Sequence, residues 1–248
     1  MKNTISVVVL VEGHENPDLL KKCLSSVSWA DEVLKIETKN IGGSFSEWRN
    51  YGLNKSKSKS KWVLYIDTDE VVTPELRSEI SQLINKSDVN TGETNQFVAY
   101  AIPRKNLIFG REFRHSGQYP DYQKRLFFKE KFYEWKGELH EEPLFNGTLG
   151  HLKSPIMHYK NISIAEMVQK TNKWSDLEAR LMFEANHPPM NIFRFASAGF
   201  REFWLRMILQ VAFMDGTEGV IYALYQVYSR LISYSKLWEI QLMKGVTT

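Results

Sequence analysis

Cysteine and long apolar runs are scarce in this chain of 248 residues. Its one cysteine, Cys23, excludes an internal disulfide framework and indicates a reducing compartment. Cys23 falls on the apolar face of a predicted helix, so we interpret it as a small buried core residue. No apolar run reaches the roughly 18 residues needed to span a bilayer. The N-terminal residues lead into a strand and not into a signal-peptide pattern. We therefore expect a cytoplasmic protein.

A strong excess of charge of either sign is also absent. The chain has 32 Lys and Arg residues against 29 Asp and Glu residues, and its formal net charge of +3 does not indicate nucleic-acid binding. Its apolar content of 43% and charged content of 25% are typical of a globular protein. Aromatic residues make up 13% of the chain and concentrate late in it. The length suits one large domain or a core domain with an appendage.

The beginning of the chain alternates short apolar runs with a helical pattern. Residues 5–11 and 29–36 predict strands, and residues 18–27 predict a helix between them because apolar side chains recur there at helical spacing. A strand–helix–strand order implies a parallel sheet with a right-handed crossover. The predicted fold class is therefore α/β.

A further apolar run, residues 62–66, stops at three carboxylates, those of Asp67, Asp69 and Glu70. Carboxylates at the end of a buried strand are costly unless something neutralises them. Ligands of open α/β sheets bind just beyond the carboxyl ends of strands, and a hard divalent cation that also holds a diphosphate fits this pattern. The alternative is an acidic turn before a helix that begins near Pro74. The residues are compatible with both interpretations.

The last third of the chain is predicted to be helical. Three helical stripes follow one another, at about residues 163–185, 192–214 and 219–243. Aromatic residues of the second stripe are interleaved with Arg194, Arg201 and Arg206. One interpretation is a helical hairpin packed on a core, and the other is a helix pair in a membrane interface with arginines at the headgroups. We divide the chain into a domain of residues 1–160 and a helical region of residues 161–248.

Short motifs in a fixed order run nearly end to end along the chain. They are WADEV at residues 29–33, RNYGL at 49–53, WVLYIDTDE at 62–70, VTPEL at 72–76, YPDYQKRLF at 119–127, LHE at 139–141, HY at 158–159, FMDG at 213–216 and YSKLWE at 234–239. Each motif alone is common, whereas their order is specific. Together they resemble the inverting family-2 glycosyltransferases, and most of all the subgroup of lipopolysaccharide-core β-1,4-glucosyltransferases.

This resemblance implies a GT-A fold, in which a mostly parallel, Rossmann-like sheet is flanked by helices, with a C-terminal helical extension. It implies an enzyme that moves a hexose from a nucleotide sugar, with a UDP-hexose as the expected donor. The implied acceptor is a lipid-linked saccharide of the cell-envelope glycan or lipopolysaccharide core. The protein is expected to bind the inner face of the cytoplasmic membrane peripherally, and to use Mg²⁺ or Mn²⁺.

The resemblance also implies which residues hold the metal and the nucleotide. Asp69 would ligate the cation, with Asp67 as a further candidate ligand and His140 as a candidate contact of the metal or the diphosphate, although a lone histidine is more often structural. Arg49 would contact the nucleotide or diphosphate through its planar guanidinium. Asp67 would face the ribose, and Glu37 would take the place of the aspartate that contacts the base.

An inverting transfer needs one carboxylate that takes the proton of the acceptor hydroxyl during direct displacement. The first candidate for this base is Asp121, which precedes the Arg125-Leu126 pair. The second candidate is Glu141, next to His140.

One segment departs from the family pattern. The family has an Asp-Ser-Gly-Ser-Thr-Asp motif after its second strand, whereas this chain has Glu37, Thr38, Lys39 and Asn40 and then lacks a helix and a strand. A catalytically degraded GT-A-like protein that binds a glycan or a partner is therefore the alternative function. A nucleotidyltransferase is a third hypothesis, but the glycine-rich loop it would need after the first strand is reduced to Gly13.

Overall fold

The computed structural model describes residues 4–56, 60–86, 97–137, 141–160 and 163–246. The chain forms two compact units. The first comprises residues 1–105 and 120–158, and the second comprises residues 106–119 and 159–248. Each unit has its own clusters of buried apolar side chains. The second unit thus contains the predicted helical region together with a segment from the middle of the chain.

Five elements build the parallel part of the sheet in the first unit. In chain order they are β1 (Ile5–Val11), α1 (Pro17–Ser26), β2 (Glu32–Glu37), α2 (Phe45–Lys55) and β3 (Trp62–Asp67). β1 lies in the middle and pairs in parallel with β2 on one side and with β3 on the other. All of β1 and all of β3 except its last residue are buried, as expected for central strands covered on both faces.

Helix α2 packs so close to the sheet that it requires a glycine. Ser44 and Glu47 form a capping box that fixes the start of the helix. At Gly52, a Cβ atom would lie 2.5 Å from Cγ1 of Val8 on β1. This close approach buries the inner face of α2, on which Arg49 lies.

The remaining elements up to residue 159 are mostly strands. They are β4 (Glu70–Val72), α3 (Pro74–Lys86), β5 (Phe97–Ile108), β6 (Arg111–Glu112), β7 (Asp121–Phe128), β8 (Phe132–Lys136), β9 (Glu142–Phe145), β10 (Thr148–His151) and β11 (Ile156–Tyr159). The strand order of the large sheet is β2-β1-β3-β7-β5-β11-β4, with β6 and β10 paired to β5, and β8 with β9 forms a separate hairpin. β7 is antiparallel to β3 and to β5, so the carboxyl end of β3 lies beside the beginning of β7.

The second unit contains three long helices. They are α4 (Ile164–Glu184), α5 (Ile192–Phe203) and α6 (Gly216–Met243). The predicted helix over residues 192–214 is not continuous, because α5 passes into a π-helical segment, Trp204–Leu209, and then a 3-10 turn, Ala212–Asp215. Val211 between them has a positive φ of 43°, which is unusual for a β-branched residue. The predicted fold class, an α/β sheet flanked by helices with a C-terminal helical extension, is confirmed.

Asp215 joins the middle segment of the chain to these helices. Its carboxylate accepts hydrogen bonds from the backbone N–H groups of Arg114 and His115, each at 3.0 Å, and from the hydroxyl of Ser116 at 3.3 Å. The side chain of Asp215 is buried, and a buried carboxylate needs such donors. The FMDG motif therefore has a structural role within the second unit.

Candidate active site

Two buried arginines meet the carboxylate at the end of β3. Arg49 Nη2 lies 3.2 Å from Asp67 Oδ1, and Arg125 Nη2 contacts Asp67 Oδ2. Burial by itself raises the pKa of Asp67, but Arg125 and Arg49 outweigh it and hold that pKa well below its ordinary range. Asp67 is therefore ionised throughout the neutral range.

Glu70 connects this ion pair to a third arginine. Its side chain is fully buried. One oxygen, Oε1, accepts hydrogen bonds from Arg125 Nη2 at 2.9 Å and Arg104 Nη1 at 3.3 Å. The other oxygen, Oε2, accepts one from the backbone N–H of Asp67 at 3.0 Å. Glu70 thus fixes the backbone at the end of β3 and two guanidinium groups at the same time.

Arg104 pairs with Asp121, the first residue of β7. The two residues are opposite each other in the β5–β7 register, and Arg104 donates from Nε at 2.9 Å and from Nη2 at 2.6 Å to Asp121 Oδ2. Gln123 Nε2 donates to the other oxygen of Asp121 at 2.7 Å. The carboxylate of Asp121 is held in one orientation, yet it is still 23% exposed.

Arg49 is positioned by an aromatic ring and a second carboxylate. Its guanidinium carbon lies 4.6 Å from the ring centre of Trp135, within the range of a cation–π interaction. The amide of Asn50 holds the backbone of Trp135, accepting from its N–H at 2.7 Å and donating to its C=O at 2.9 Å. Arg49 Nη2 also lies 3.2 Å from Glu141 Oε1.

A pocket of about 390 Å³ opens over this cluster. Its lining residues belong to α2, the sheet and the β8–β9 hairpin, and they are Arg49, Asp67, Arg104, Tyr122, Gln123, Lys124, Arg125, Trp135, Glu141, Glu142 and Pro143. In the ion-pair cluster the three arginines face four carboxylates, those of Asp67, Glu70, Asp121 and Glu141. The cluster is therefore closely balanced in charge, with one negative charge in excess.

Comparison with known proteins places the chain among carbohydrate-transferring enzymes. No family model matches it. An "Uncharacterized glycosyltransferase" of Rickettsia bellii (strain RML369-C) is 25% identical over 258 residues, which cover 92% of this chain and 85% of that protein. The "Lipopolysaccharide core biosynthesis glycosyltransferase LpsC" of Rhizobium meliloti (strain 1021) is 21% identical over 193 residues, 68% of this chain and 69% of LpsC. The chain is a homologue of glycosyltransferases. The prediction of a glycosyltransferase is confirmed at this level.

Two solved structures show a low similarity to the chain, with TM-scores below 0.5. The crystal structure of TarS from S. aureus has a TM-score of 0.38 and 10% identity, covering 95% of this chain and 54% of that one. A glycosyltransferase involved in the glycosylation of the major capsid of PBCV-1 has a TM-score of 0.28 and 12% identity, covering 51% of this chain and 61% of that one.

In this chain, the structure brings together four of the five residues that were predicted to contact the nucleotide or to act as the catalytic base. Arg49, Asp67, Asp121 and Glu141 belong to one network of ion pairs. Glu37 is not among the described residues that line the pocket. It ends β2, is exposed, and accepts a hydrogen bond from its neighbour Lys35 at 2.9 Å.

The residues of this chain that were predicted to ligate the metal do not share one environment. Asp69 is 45% exposed, and its Oδ2 is 3.3 Å from Nε2 of His158, a mostly buried residue of β11. Asp67 is paired with two arginines as described above. His140 lies outside the described residues. Among the described residues, no three His, Cys, Asp or Glu side chains converge as a metal site.

Sequence reasoning missed the roles of four residues that organise the site. Arg104 carries no local signal, because its pairing with Asp121 follows only from the register of β5 and β7. The bond between Asn50 and Trp135 joins positions 85 residues apart. His158 was present in the HY motif, but only its contact with Asp69 indicates a chemical role.

Proposed function

We propose that this chain transfers a hexose, with inversion, from a nucleoside-diphosphate sugar to a saccharide carried on a lipid. UDP is the expected nucleotide, and the acceptor is expected to belong to the lipopolysaccharide core or a related cell-envelope glycan. The observation that carries the proposal is the cluster of buried arginines and ordered carboxylates at the carboxyl end of β3. The LpsC relative supports the acceptor class by its name.

The arginines are suited to the diphosphate of the donor. Arg49 and Arg125 are almost fully buried, so their charges act in a medium of lower effective dielectric than water. A guanidinium also matches phosphate oxygens with two parallel donors. We assign Asp67 and Glu70 the role of holding these two side chains in place.

The residues present fit a divalent cation beside this diphosphate. The ion-pair cluster already has one negative charge in excess, so a diphosphate would bind there against repulsion without an added cation. Mg²⁺ typically takes one or two carboxylates, with phosphate oxygens and water completing its shell. Asp69 and His158 would hold the ion. Mg²⁺ or Mn²⁺, when bound, neutralises the developing charge of the leaving nucleoside diphosphate.

Replacing Asp69 by alanine tests the cation site. We expect wild-type protein to bind UDP more tightly with Mn²⁺ than with EDTA, and D69A to lose at least tenfold in affinity with Mn²⁺ while its affinity in EDTA is unchanged. The reason is that the exposed Asp69 carboxylate contributes to binding only through the ion. Isothermal titration calorimetry gives the four dissociation constants.

Glu75→Ala is the matched control, because Glu75 is an exposed carboxylate six residues further along. Equal UDP affinity of wild type and D69A in Mn²⁺ contradicts the assignment of the cation to Asp69. Absence of any UDP or UDP-sugar binding by the wild type, with or without Mn²⁺, instead favours the alternative of a glycan- or partner-binding relative.

We further propose that the second unit, residues 106–119 and 159–248, associates with the membrane that carries the acceptor. We call it the helical unit. The outer face of α5 exposes large apolar side chains, among them Phe193, which is 81% exposed, and Phe200, which is 66% exposed. Arg194 and Arg201 are exposed on the same helix and are placed to meet anionic headgroups. Arg206 differs, since its guanidinium binds Glu202 at 2.8 Å and the backbone C=O of Ser116 at 3.1 Å.

The exposed apolar face of α5 is expected to bind at the membrane surface without crossing the bilayer. Among the described residues, no single helix is long and apolar enough to cross a bilayer. Ile192–Leu209 and Ala212–Met243 reach that length and apolarity only when taken together, and they are bent by 61° at the break. A bent pair with exposed aromatic residues suits an interfacial position.

The double variant Phe193→Ser/Phe200→Ser tests this position. We expect the full-length wild type to co-sediment with vesicles that contain anionic phospholipid, and the variant to lose most of that binding because apolar burial provides the larger part of it. Higher salt should weaken wild-type binding partially, since it screens only the headgroup attraction.

Tyr133→Ser serves as the control, because Tyr133 is 61% exposed on β8, in the other unit. Two results contradict membrane binding through this face of α5. One is equal vesicle binding by the wild type and F193S/F200S, and the other is no binding by the wild type.

A further inference from the structure

A polar groove runs between α4 and α6 in the second unit. Its volume is about 310 Å³, at the lower end of the range of about 300–1,000 Å³ for small-molecule pockets. Its wall is built largely of hydroxyl groups, two lysines lie on it, and one tryptophan belongs to it. Neither the transfer reaction nor the membrane surface accounts for this combination.

Hydroxyl groups of the wall form hydrogen bonds with one another and with the backbone. Thr171 Oγ1 is in close contact with the hydroxyl of Tyr225 and lies 3.2 Å from Ser229 Oγ, and the hydroxyl of Tyr225 donates to the C=O of Met167 at 2.5 Å. Each hydroxyl has one hydrogen and two lone pairs, so Thr171 and Tyr225 use their hydrogens within the protein. What Thr171 and Tyr225 offer to a ligand is oxygen lone pairs.

Glu178 adds a fixed carboxylate to the groove. Its Oε1 accepts from Arg230 Nη1 at 2.8 Å, and its Oε2 accepts from the hydroxyl of Ser233 at 2.7 Å. Ser233 is almost fully buried, so the carboxylate is held from the protein side. Its remaining lone pairs are acceptors, like those of the hydroxyl groups, and a ligand that satisfies this wall must present several O–H or N–H donors.

The other lining groups favour a ligand that carries a negative charge and has a flat apolar face. Lys160, which donates to Gln118 Oε1 at 3.3 Å, and Lys170 line the groove together with the amide of Gln226. A lysine can only donate, and the positive charge of these two side chains favours acidic oxygens on the ligand. Trp174 is 45% exposed, and its ring offers an apolar face at the side of the groove.

We propose that this groove binds a saccharide unit that carries an anionic substituent, a phosphate or a carboxylate. A sugar supplies the hydroxyl donors that the acceptor-rich wall needs and an apolar C–H face for Trp174, and the anionic group pairs with Lys160 and Lys170. The proposal goes beyond the transfer reaction, because every lining residue belongs to the helical unit and none belongs to the ion-pair cluster of β3. It assigns glycan binding to the helical unit itself.

Two disaccharides that differ only by a carboxylate provide the test, cellobiouronic acid and cellobiose. Each is titrated into the full-length protein with UDP and Mg²⁺ at saturating concentration, so that the donor site is filled. The indole N–H resonance of Trp174, assigned by its loss in Trp174→Phe, reports binding. We expect cellobiouronic acid to bind at least tenfold more tightly than cellobiose, and Lys170→Gln to remove that preference.

Lys244→Gln is the matched control, since Lys244 is an exposed lysine at the end of α6 and is not among the described lining residues. It should keep the wild-type preference, and the melting temperatures of all variants should agree. Equal affinity for the two disaccharides overturns the anionic part of the proposal. Inorganic phosphate that shifts the Trp174 resonance as strongly as cellobiouronic acid overturns the saccharide part, and no shift with either disaccharide overturns the whole.

Discussion

Asp121→Asn is expected to lower the turnover number on the order of a hundredfold or more while UDP affinity stays within about threefold of wild type. The substitution keeps the shape of the side chain but removes the negative oxygen that would take the proton of the acceptor hydroxyl. Asp121 is suited to this role because Arg104 and Gln123 fix its carboxylate in one orientation at the pocket. Initial rates with a UDP-hexose and a lipid-linked acceptor, together with UDP titration, separate turnover from donor binding.

Glu141→Gln decides between the two candidate bases. Glu141 lies against Arg49, so we expect this variant to weaken donor binding more than it lowers turnover. Glu134→Gln, at an exposed position of β8, controls for the loss of a nearby surface charge. An active D121N next to an inactive E141Q would reverse the assignment.

Arg125→Met is expected to lower the free energy of unfolding by about 3–5 kcal/mol, the typical cost of removing one partner of a buried ion pair. Arg125 is almost fully buried and is the shared partner of Asp67 and Glu70. Methionine fills much of the same volume but leaves the fully buried Glu70 with one guanidinium fewer. Urea unfolding followed by circular dichroism measures the change.

Two further variants identify the cause. Lys124→Met removes the adjacent cation, whose pairing with Glu142 is largely exposed, so it should cost less than about 1 kcal/mol. Arg125→Met combined with Glu70→Leu should recover part of the loss, because it also removes the buried carboxylate that has lost one of its two guanidinium partners. A loss below 1 kcal/mol for R125M alone would show that water or another side chain replaces the guanidinium.

The local patterns of the sequence predicted the frame of the site. The apolar run of β3 and the carboxylates after it are adjacent in the chain, so their position at the end of a buried strand followed from composition alone. Arg49 was indicated by its motif, and in the structure it lies on the buried face of α2.

The contacts that complete the site could not be predicted from local sequence patterns, because they join residues that are far apart in the chain. Glu70 meets Arg104 across 34 residues and Arg125 across 55, and both contacts depend on antiparallel pairing that the sequence did not specify. Residues 106–119 likewise belong to the helical unit, where their backbone donates to the carboxylate of Asp215, about a hundred residues away. A strand that continues from one unit into the other leaves no compositional boundary.

The burial of Cys23 makes its thiol a probe for local opening at the end of β3. The thiol donates to the backbone C=O of Asp67 at 3.4 Å, and burial, together with the charges of Glu70, Asp67 and Asp69, raises its pKa to about 12. Alkylating reagents attack the thiolate, so labelling at neutral pH should proceed only as fast as α1 separates from the sheet. Because the chain has one cysteine, the fraction of protein that carries one label over time follows this opening, and bound nucleotide should slow the labelling.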